Sequence, residues 1–333
     1  MSAGQSARSC GLPRIIPRLL NFEEGAMAVA TSAGTAATAG AGRKGSKRFR
    51  PIVLWLIPIL GLLFAFNVFP IFASFYYSFF DYEMLQPLKW QGLGNYIYAF
   101  TKDPVFITSL GNTFYFAFVS VPVGMAASLL VAQFIHSRKH FKDFFRTAYF
   151  LPVVTPFIGA AFVWKFILEP SQFGMLNAFL RPLGIPAQPW LVEKFHAMPS
   201  IIGVSIWGGM GYNVVLFLAG LVGIPNEFYE AAKIDGANAW RMFWSITWPL
   251  LGPTVLFITV TGSIGALQVF GWPYVLTTGG PENATRTVVM WIQQTGFQQF
   301  RMGYASSLAY IFFIIILILT VIELRYLRTR WSY

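Results

Sequence analysis

Charge is scarce in this chain. Of its 333 residues only 11% are Asp, Glu, Lys or Arg, against about 25% in an ordinary soluble domain. So few charges cannot coat a water-soluble fold of this length, and that class is the first one excluded. Cysteine is nearly absent as well. Cys10 stands alone, so no intrachain disulfide can form, and no apolar run precedes it to make a lipoprotein site. Acid is the scarcer sign, 13 residues against 24 basic ones, for a net charge of +11. In place of charge the chain carries 56% hydrophobic residues, including 34 Phe and 11 Trp. A basic total also suits a nucleic-acid binder, but a phosphate-coating surface is not built of Phe and Trp, so no nucleic-acid partner is expected.

The apolar residues are not spread evenly. Residues 1–50 hold an Ala/Gly/Thr/Ser-rich stretch, Gly25 to Gly42, that ends in the basic cluster Arg43, Lys44, Lys47, Arg48 and Arg50. This reads as a disordered basic tail leading to a membrane flank. After Arg50, uncharged runs cover 51–80, 104–137, 147–164, 195–226, 242–281 and 302–322. A membrane-crossing helix needs about 20 mostly apolar residues. Six spans are therefore predicted, at 52–76, 112–135, 147–168, 199–223, 247–270 and 304–324, giving an all-α membrane domain over 51–333. Lys165 sits near one end of the third span, where its stem can reach the interface.

Basic residues orient the spans. Seventeen of the 24 fall before the first span, in loops 136–146 and 224–246, and after the sixth; six fall in the alternate loops, and Lys165 is the remaining one. The positive-inside bias puts both termini and loop 224–246 in the cytoplasm of a bacterial or archaeal cell, against anionic membrane lipid.

The span middles contain no Asp, Glu, Lys or Arg. Ion-coupled carriers usually place such groups there, so that class is disfavoured. The chain has no Gly-x-x-x-x-Gly-Lys-Ser/Thr loop: the nearest approach, Gly40 to Lys47, reverses the last two residues and follows no strand. No Ser/His/Asp or Cys/His arrangement points to catalysis. His136 and His140 share a helical spacing, but Arg138, Lys139 and Lys142 surround them, so no metal is expected. No enzyme activity is read from this chain.

The loop from Ile224 to Pro249 is different. Pro225 and Asn226 signal a helix start, with Asn226 placed to cap it. Phe228, Ala231 and Ala232 lie at i, i+3 and i+4, a knob beside a flat strip that suits insertion into a partner's groove. An amphipathic helix lying on the bilayer fits the same residues. Gly236 can adopt the left-handed conformation that ends a helix, and Asn238 can cap a second one.

Glu230-Ala231-Ala232, three residues, Gly236, nine residues, Ile246, one residue, then Trp248-Pro249 resembles the EAA loop of ABC-importer permease subunits. Asp235 and Ala237 match its common form; Trp248 replaces the usual Leu. Gly92-Leu-Gly-Asn95-Tyr96, Phe173-Gly-Met-Leu-Asn177, Leu276-Thr-Thr-Gly279-Gly280-Pro281 and Gly303-Tyr-Ala305 are also similar to the maltose and glycerol-3-phosphate class, first-subunit type, over roughly 50–333. The resemblance implies an ATP-driven importer of a sugar or oligosaccharide. It implies a second, related permease subunit, two copies of a cytoplasmic ATPase that hold ATP and Mg, and an extracytoplasmic solute-binding protein. It assigns Phe228, Glu230, Ala231, Ala232, Asp235 and Gly236 to ATPase coupling. Glycerol-3-phosphate or a related polyol ester stays open as substrate, and an energy-independent channel or carrier is the reading from another class.

A sugar path needs hydroxyls and aromatic faces without fixed charge. Ser205, Gly209 and Tyr212 share one face of the fourth span, and Thr261, Gly265 and Gln268, followed by Phe270, repeat the spacing on the fifth. By resemblance these parts face the central cavity. Helix packing explains the small residues equally well, and Trp207, Trp272 and Tyr274 read first as interface-belt residues.

Overall fold

The computed structural model describes residues 49–83, 86–137 and 142–327. The expected tail lies outside them except for its last two residues, as do His140 and everything from residue 328. The chain divides into two units, Met1–Leu62 and Leu63–Tyr333. The first contributes only the start of one helix to the described residues; the packing below belongs to the second.

Long uncharged runs have one way to satisfy their backbone groups locally, which is to close helical hydrogen bonds. Among the described residues, four helices are long and apolar enough to cross a membrane: Leu56–Tyr77, Pro104–Ser137, Lys194–Val222 and Met302–Tyr326. Two further pairs reach that length only together, and both are bent. Thr147–Val154 meets Phe157–Ile167 at 105°, and Ala239–Leu250 meets Gly252–Leu267 at 65°. Prolines explain the bends. Pro156 has no N–H and pushes Thr155 out of helical conformation, while Pro253 interrupts the ladder at the second bend. The third predicted span is thus two short helices at a steep angle rather than a straight rod.

The Pro104–Ser137 and Lys194–Val222 helices pack side by side at the centre, and the core divides along them. Phe106, Phe116, Ile201, Val204, Val288 and Leu308 fill one half; Ala132, Val214, Phe217, Leu251 and Ile258 fill the other. Small residues let backbones approach. A Cβ on Gly211 would stand 2.3 Å from the Tyr149 carbonyl oxygen and 2.7 Å from Val153 Cγ2. One on Gly303 would stand 2.1 Å from the Phe80 carbonyl oxygen.

Buried polar side chains fasten the connecting segments at one end. Asp103 Oδ1 accepts from the Phe106 N–H at 2.9 Å, capping the Pro104–Ser137 helix. Its Oδ2 accepts from Trp291 Nε1 at 2.8 Å and from the Tyr304 hydroxyl at 2.6 Å. Asn95 Nδ2 donates to the Ser78 and Phe80 carbonyls at 3.0 and 2.9 Å. Asn177 Oδ1 accepts from the Gln188 N–H and Trp190 Nε1, and its amide donates to the Ser171 and Gln188 carbonyls. Asn112 Nδ2 reaches the Asn283 and Arg286 carbonyls at 2.7 and 3.0 Å. Burial holds the Arg286 guanidinium below its ordinary pKa, and Nη1 donates to Gln294 Oε1.

Gly211→Val should destabilise the fold by about 1–3 kcal/mol, read as a lowered melting temperature in detergent. Gly203→Ala, where a Cβ meets nothing within 4 Å, should melt like the parent. Equal melting of all three would refute the close approach at Gly211.

Candidate functional site: a docking loop and an uncharged cavity

The loop after Val222 forms the helix Asn226–Ile234. Asn226 does not cap it. Pro225 occupies the capping position, with its backbone already extended at ψ 136° and no side-chain bond, so Asn226 is the first helical residue. The other end behaves as its glycine requires. Gly236 has φ +74°; its N–H bonds the Lys233 carbonyl at 3.1 Å, and the Ala237 N–H bonds that of Ala232 at 2.9 Å. These two bonds close a Schellman turn. Asn238 caps the next helix by accepting from the Arg241 N–H at 2.8 Å.

Helix geometry divides the loop residues between two sides. Phe228, Glu230, Ala231, Asp235 and Gly236 are exposed, while Ala232 is half-buried. The predicted strip of Phe228, Ala231 and Ala232 therefore splits, with Ala232 turned toward the body. Ile234, 87% exposed, extends the outward apolar surface and was not singled out in the sequence. Nor was Tyr229, which pins the helix: its hydroxyl lies 2.9 Å from that of the buried Thr247. The signal for Tyr229 was its position one residue past Phe228, on the opposite flank.

Deeper in the bundle lies a cavity of about 290 Å³. Ser120 and Gly124 contribute from Pro104–Ser137, Ser205, Gly209 and Asn213 from Lys194–Val222, Gly262 and Gly265 from Gly252–Leu267, and Trp272 from the following turn. No charged side chain lines it. Ser120, Ser205 and Asn213 have no hydrogen-bond partner among the described residues, so three polar groups stay available to a guest.

The sequence places part of this wall. Ser205, Gly209 and Gly265 line the cavity. Tyr212 is 52% exposed and outside the lining; the inward face continues through Asn213 instead. Thr261 is exposed, with its hydroxyl bonded to the Phe257 carbonyl at 2.7 Å. Gln268 opens onto a separate apolar groove with Phe312, Phe313 and Ile264, the residue one helical turn before it, whose carbonyl accepts from the Gln268 N–H at 3.2 Å. Phe270 stacks on Tyr274 at 4.9 Å between ring centroids. Trp272, read as a belt residue, belongs to the cavity: it packs on Phe157 at 4.7 Å, and its ring lies where a Cβ on Gly208 would sit, 2.8 Å from Cζ2. Ser120, Asn213 and Trp272 were thus missed as wall residues; the Ser120/Gly124 spacing on the second span was the available signal.

The family model for the binding-protein-dependent transport system inner membrane component matches residues 120–331. The chain belongs to this family. Among its relatives, the lactose transport system permease protein of Rhizobium radiobacter is 34% identical over 296 residues, covering 86% of this chain and 98% of that one. The arabinooligosaccharides transport system permease protein of Bacillus subtilis is 32% identical over 284 residues, 84% and 89% of the two chains. The crystal structure of a bacterial ABC transporter that imports the acidic polysaccharide alginate contains a chain of the same fold. Its TM-score is 0.76 at 23% identity, over 86% of this permease and 98% of that chain. Membership makes the permease a multi-pass protein of the inner membrane.

Tyr229→Phe removes the bond to Thr247 and should cost about 0.5–1.5 kcal/mol locally. Amide exchange of residues 226–236 in the purified permease should quicken by about threefold to tenfold. Unchanged exchange would refute the pinning role.

Proposed function

We propose that this permease forms half of the translocation pathway of an ATP-driven importer for a sugar or oligosaccharide. The observation that carries the substrate class is the cavity wall. Ser120, Ser205 and Asn213 offer donors and acceptors, Trp272 offers an aromatic face, and the lining holds no charge. Sugars are bound by such groups, whereas an anion calls for a cation, so the glycerol-3-phosphate reading finds no support in this wall. The lactose and arabinooligosaccharide relatives favour the same class.

In this reading each bent pair contributes one span, making six, the fifth carried mainly by Gly252–Leu267, with both termini and the Asn226–Ile234 helix in the cytoplasm. A second permease subunit completes the pathway. A solute-binding protein delivers the sugar outside; the alginate transporter has been seen with its pentasaccharide-bound periplasmic protein. Two copies of a separate ATPase hold ATP and Mg, and hydrolysis occurs there. The exposed Phe228, Ala231 and Ile234, flanked by Glu230 and Asp235, enter a cleft of that ATPase.

ATPase closure moves the transport equilibrium only if it favours one packing over the other. The route proposed is short. Displacement of the docking helix passes through Tyr229 to Thr247, then across the bend at Leu251 to Gly252–Leu267, which carries Gly262 and Gly265 of the cavity wall. An energy-independent channel would have no use for such a linkage.

The class is tested by uptake of a panel of labelled sugars in cells carrying the whole complex. Accumulation of a neutral sugar is expected; accumulation of polyol phosphates alone would overturn the substrate reading, and uptake without the ATPase would overturn the energy coupling. Gly236→Pro cannot adopt φ +74° and deletes the N–H bonded to Lys233. It should cut substrate-stimulated ATP hydrolysis and uptake by about tenfold or more while the permease still reaches the membrane. Full uptake by that variant would overturn the coupling role of the loop.

A further inference from the structure

Trp240, Trp244 and Trp248 stand four residues apart on the helical segment Ala239–Leu250. Their rings touch in series, with centroids 5.7 Å and 5.8 Å apart. Trp240 is 70% and Trp244 48% exposed, although an indole is a large apolar body. None of the three indole N–H groups has a hydrogen-bond partner among the described residues. The other flank of the segment, Phe243, Ile246 and Thr247, packs into the body. Trp248 is half-buried and packs against the core with them, so Trp240 and Trp244 form the surface that faces something outside the chain, with an appetite for both apolar contact and hydrogen-bond acceptors.

The bend says what that is. With Gly252–Leu267 along the bilayer normal, a 65° turn lays Ala239–Leu250 closer to the membrane plane than to its normal. A helix in that plane, Trp along one side, sits at headgroup depth. At the Trp248 end lies a groove of about 180 Å³ with an apolar lining: Trp248, Pro249, Gly252, Val255, Leu256 and Leu327. The exposed Phe257 on the same helix continues the apolar surface. One cation stands on the segment itself, Arg241 beside Trp240; like Arg325 at the end of the Met302–Tyr326 helix, it is part of the cytoplasmic basic excess. Both are exposed, and neither meets an acid among the described residues.

The geometry points to a binding site for one anionic phospholipid of the cytoplasmic leaflet. An acyl chain lies in the groove below Trp248, the exposed indole N–H groups bond glycerol-ester or phosphate oxygens, and Arg241 meets the headgroup charge. The lipid holds the segment that carries Thr247 at a fixed depth, and with it the docking helix. The leaflet rests on the cytoplasmic placement of this loop proposed above.

A single reporter tests the placement without disturbing the ladder. In a Cys10→Ser background, Ser245→Cys, exposed beside Trp244, is labelled with an environment-sensitive fluorophore. The assembled complex is reconstituted in nanodiscs of phosphatidylcholine and phosphatidylglycerol. Headgroup-nitroxide lipid should quench the label and aqueous iodide should not, with the ATPase present or absent. Iodide quenching without lipid quenching would overturn the proposal. So would shielding that appears only when the ATPase is added, which would make the ladder a protein interface. Native mass spectrometry tests the charge: Arg241→Gln should lower retained phosphatidylglycerol over phosphatidylcholine by about fivefold, and an unchanged ratio would overturn the anionic assignment. Labelling of Ser245→Cys in intact cells by a membrane-impermeant thiol reagent would show the loop on the outer side, a failure of the orientation rather than of the lipid contact.

Discussion

Hydrocarbon offers a backbone no hydrogen-bond partner, and the rest of this fold follows from that. A chain with uncharged runs this long must either close its own hydrogen bonds or stay out of the bilayer. Where the helices break, the bonds are still made. At the first bend the Thr155 hydroxyl donates to the Leu151 carbonyl at 2.8 Å, and the ladder restarts with the Ala160 N–H on the Pro156 carbonyl at 3.0 Å. At the second, the Leu251 N–H reaches Thr247 and the Val255 N–H reaches Leu251, both at 2.9 Å. The 65° bend is thus a satisfied joint rather than a defect, and it can sit beside the cavity without exposing bare backbone groups to lipid.

The same solvent changes what small residues do. Water does not drive apolar helices together inside a membrane, so close backbone approach must do so. Gly211 and Gly303 are sites where a side chain has no room. Gly209 and Gly265 differ: a Cβ there meets nothing within 4 Å, because they border the cavity. One residue type thus serves two opposed ends, closure at one depth and vacancy at another. Spacing alone cannot separate them, since the separation depends on which helix stands opposite.

That distinction marks how far the sequence could be read. The apolar helices, the short helix after Pro225 and the left-handed Gly236 were legible because each rests on a local rule: run length, the helix-start signal, glycine's freedom. Asn95, Asn177 and Gly303 were legible as motif members, but their work as buried clamps was not, since their partners lie on other segments. The cavity was half legible. Ser205 and Gly209 follow helical period, yet Tyr212 gives way to Asn213, and Gln268 turns with Ile264 to a neighbouring groove. Trp272 read as a belt residue because its composition and position suit one; only Gly208 opposite reveals the slot that receives its ring. The bends were not legible as angles, for Pro156 and Pro253 announce a break without fixing its size.

The two ends of the bundle are held by different means, and the difference bears on motion. At one end Asp103 accepts three hydrogen bonds from three segments, and Asn112, Thr113 and Asn177 bind further loops. Such networks are cooperative and costly to leave half-made, so that end resists deformation. At the other end the Asn226–Ile234 helix has its own Schellman turn, a contact layer around Ile224 and Tyr229, and the hydroxyl pair Tyr229–Thr247. A short element that is internally rigid and lightly tethered moves as a unit. Force applied to it is not dissipated in its own turn but delivered to Thr247, directly before the bend. In the proposed coupling, the stiff end is the frame against which Gly252–Leu267 shifts, and the cavity wall it carries is where a small rotation opens or closes space.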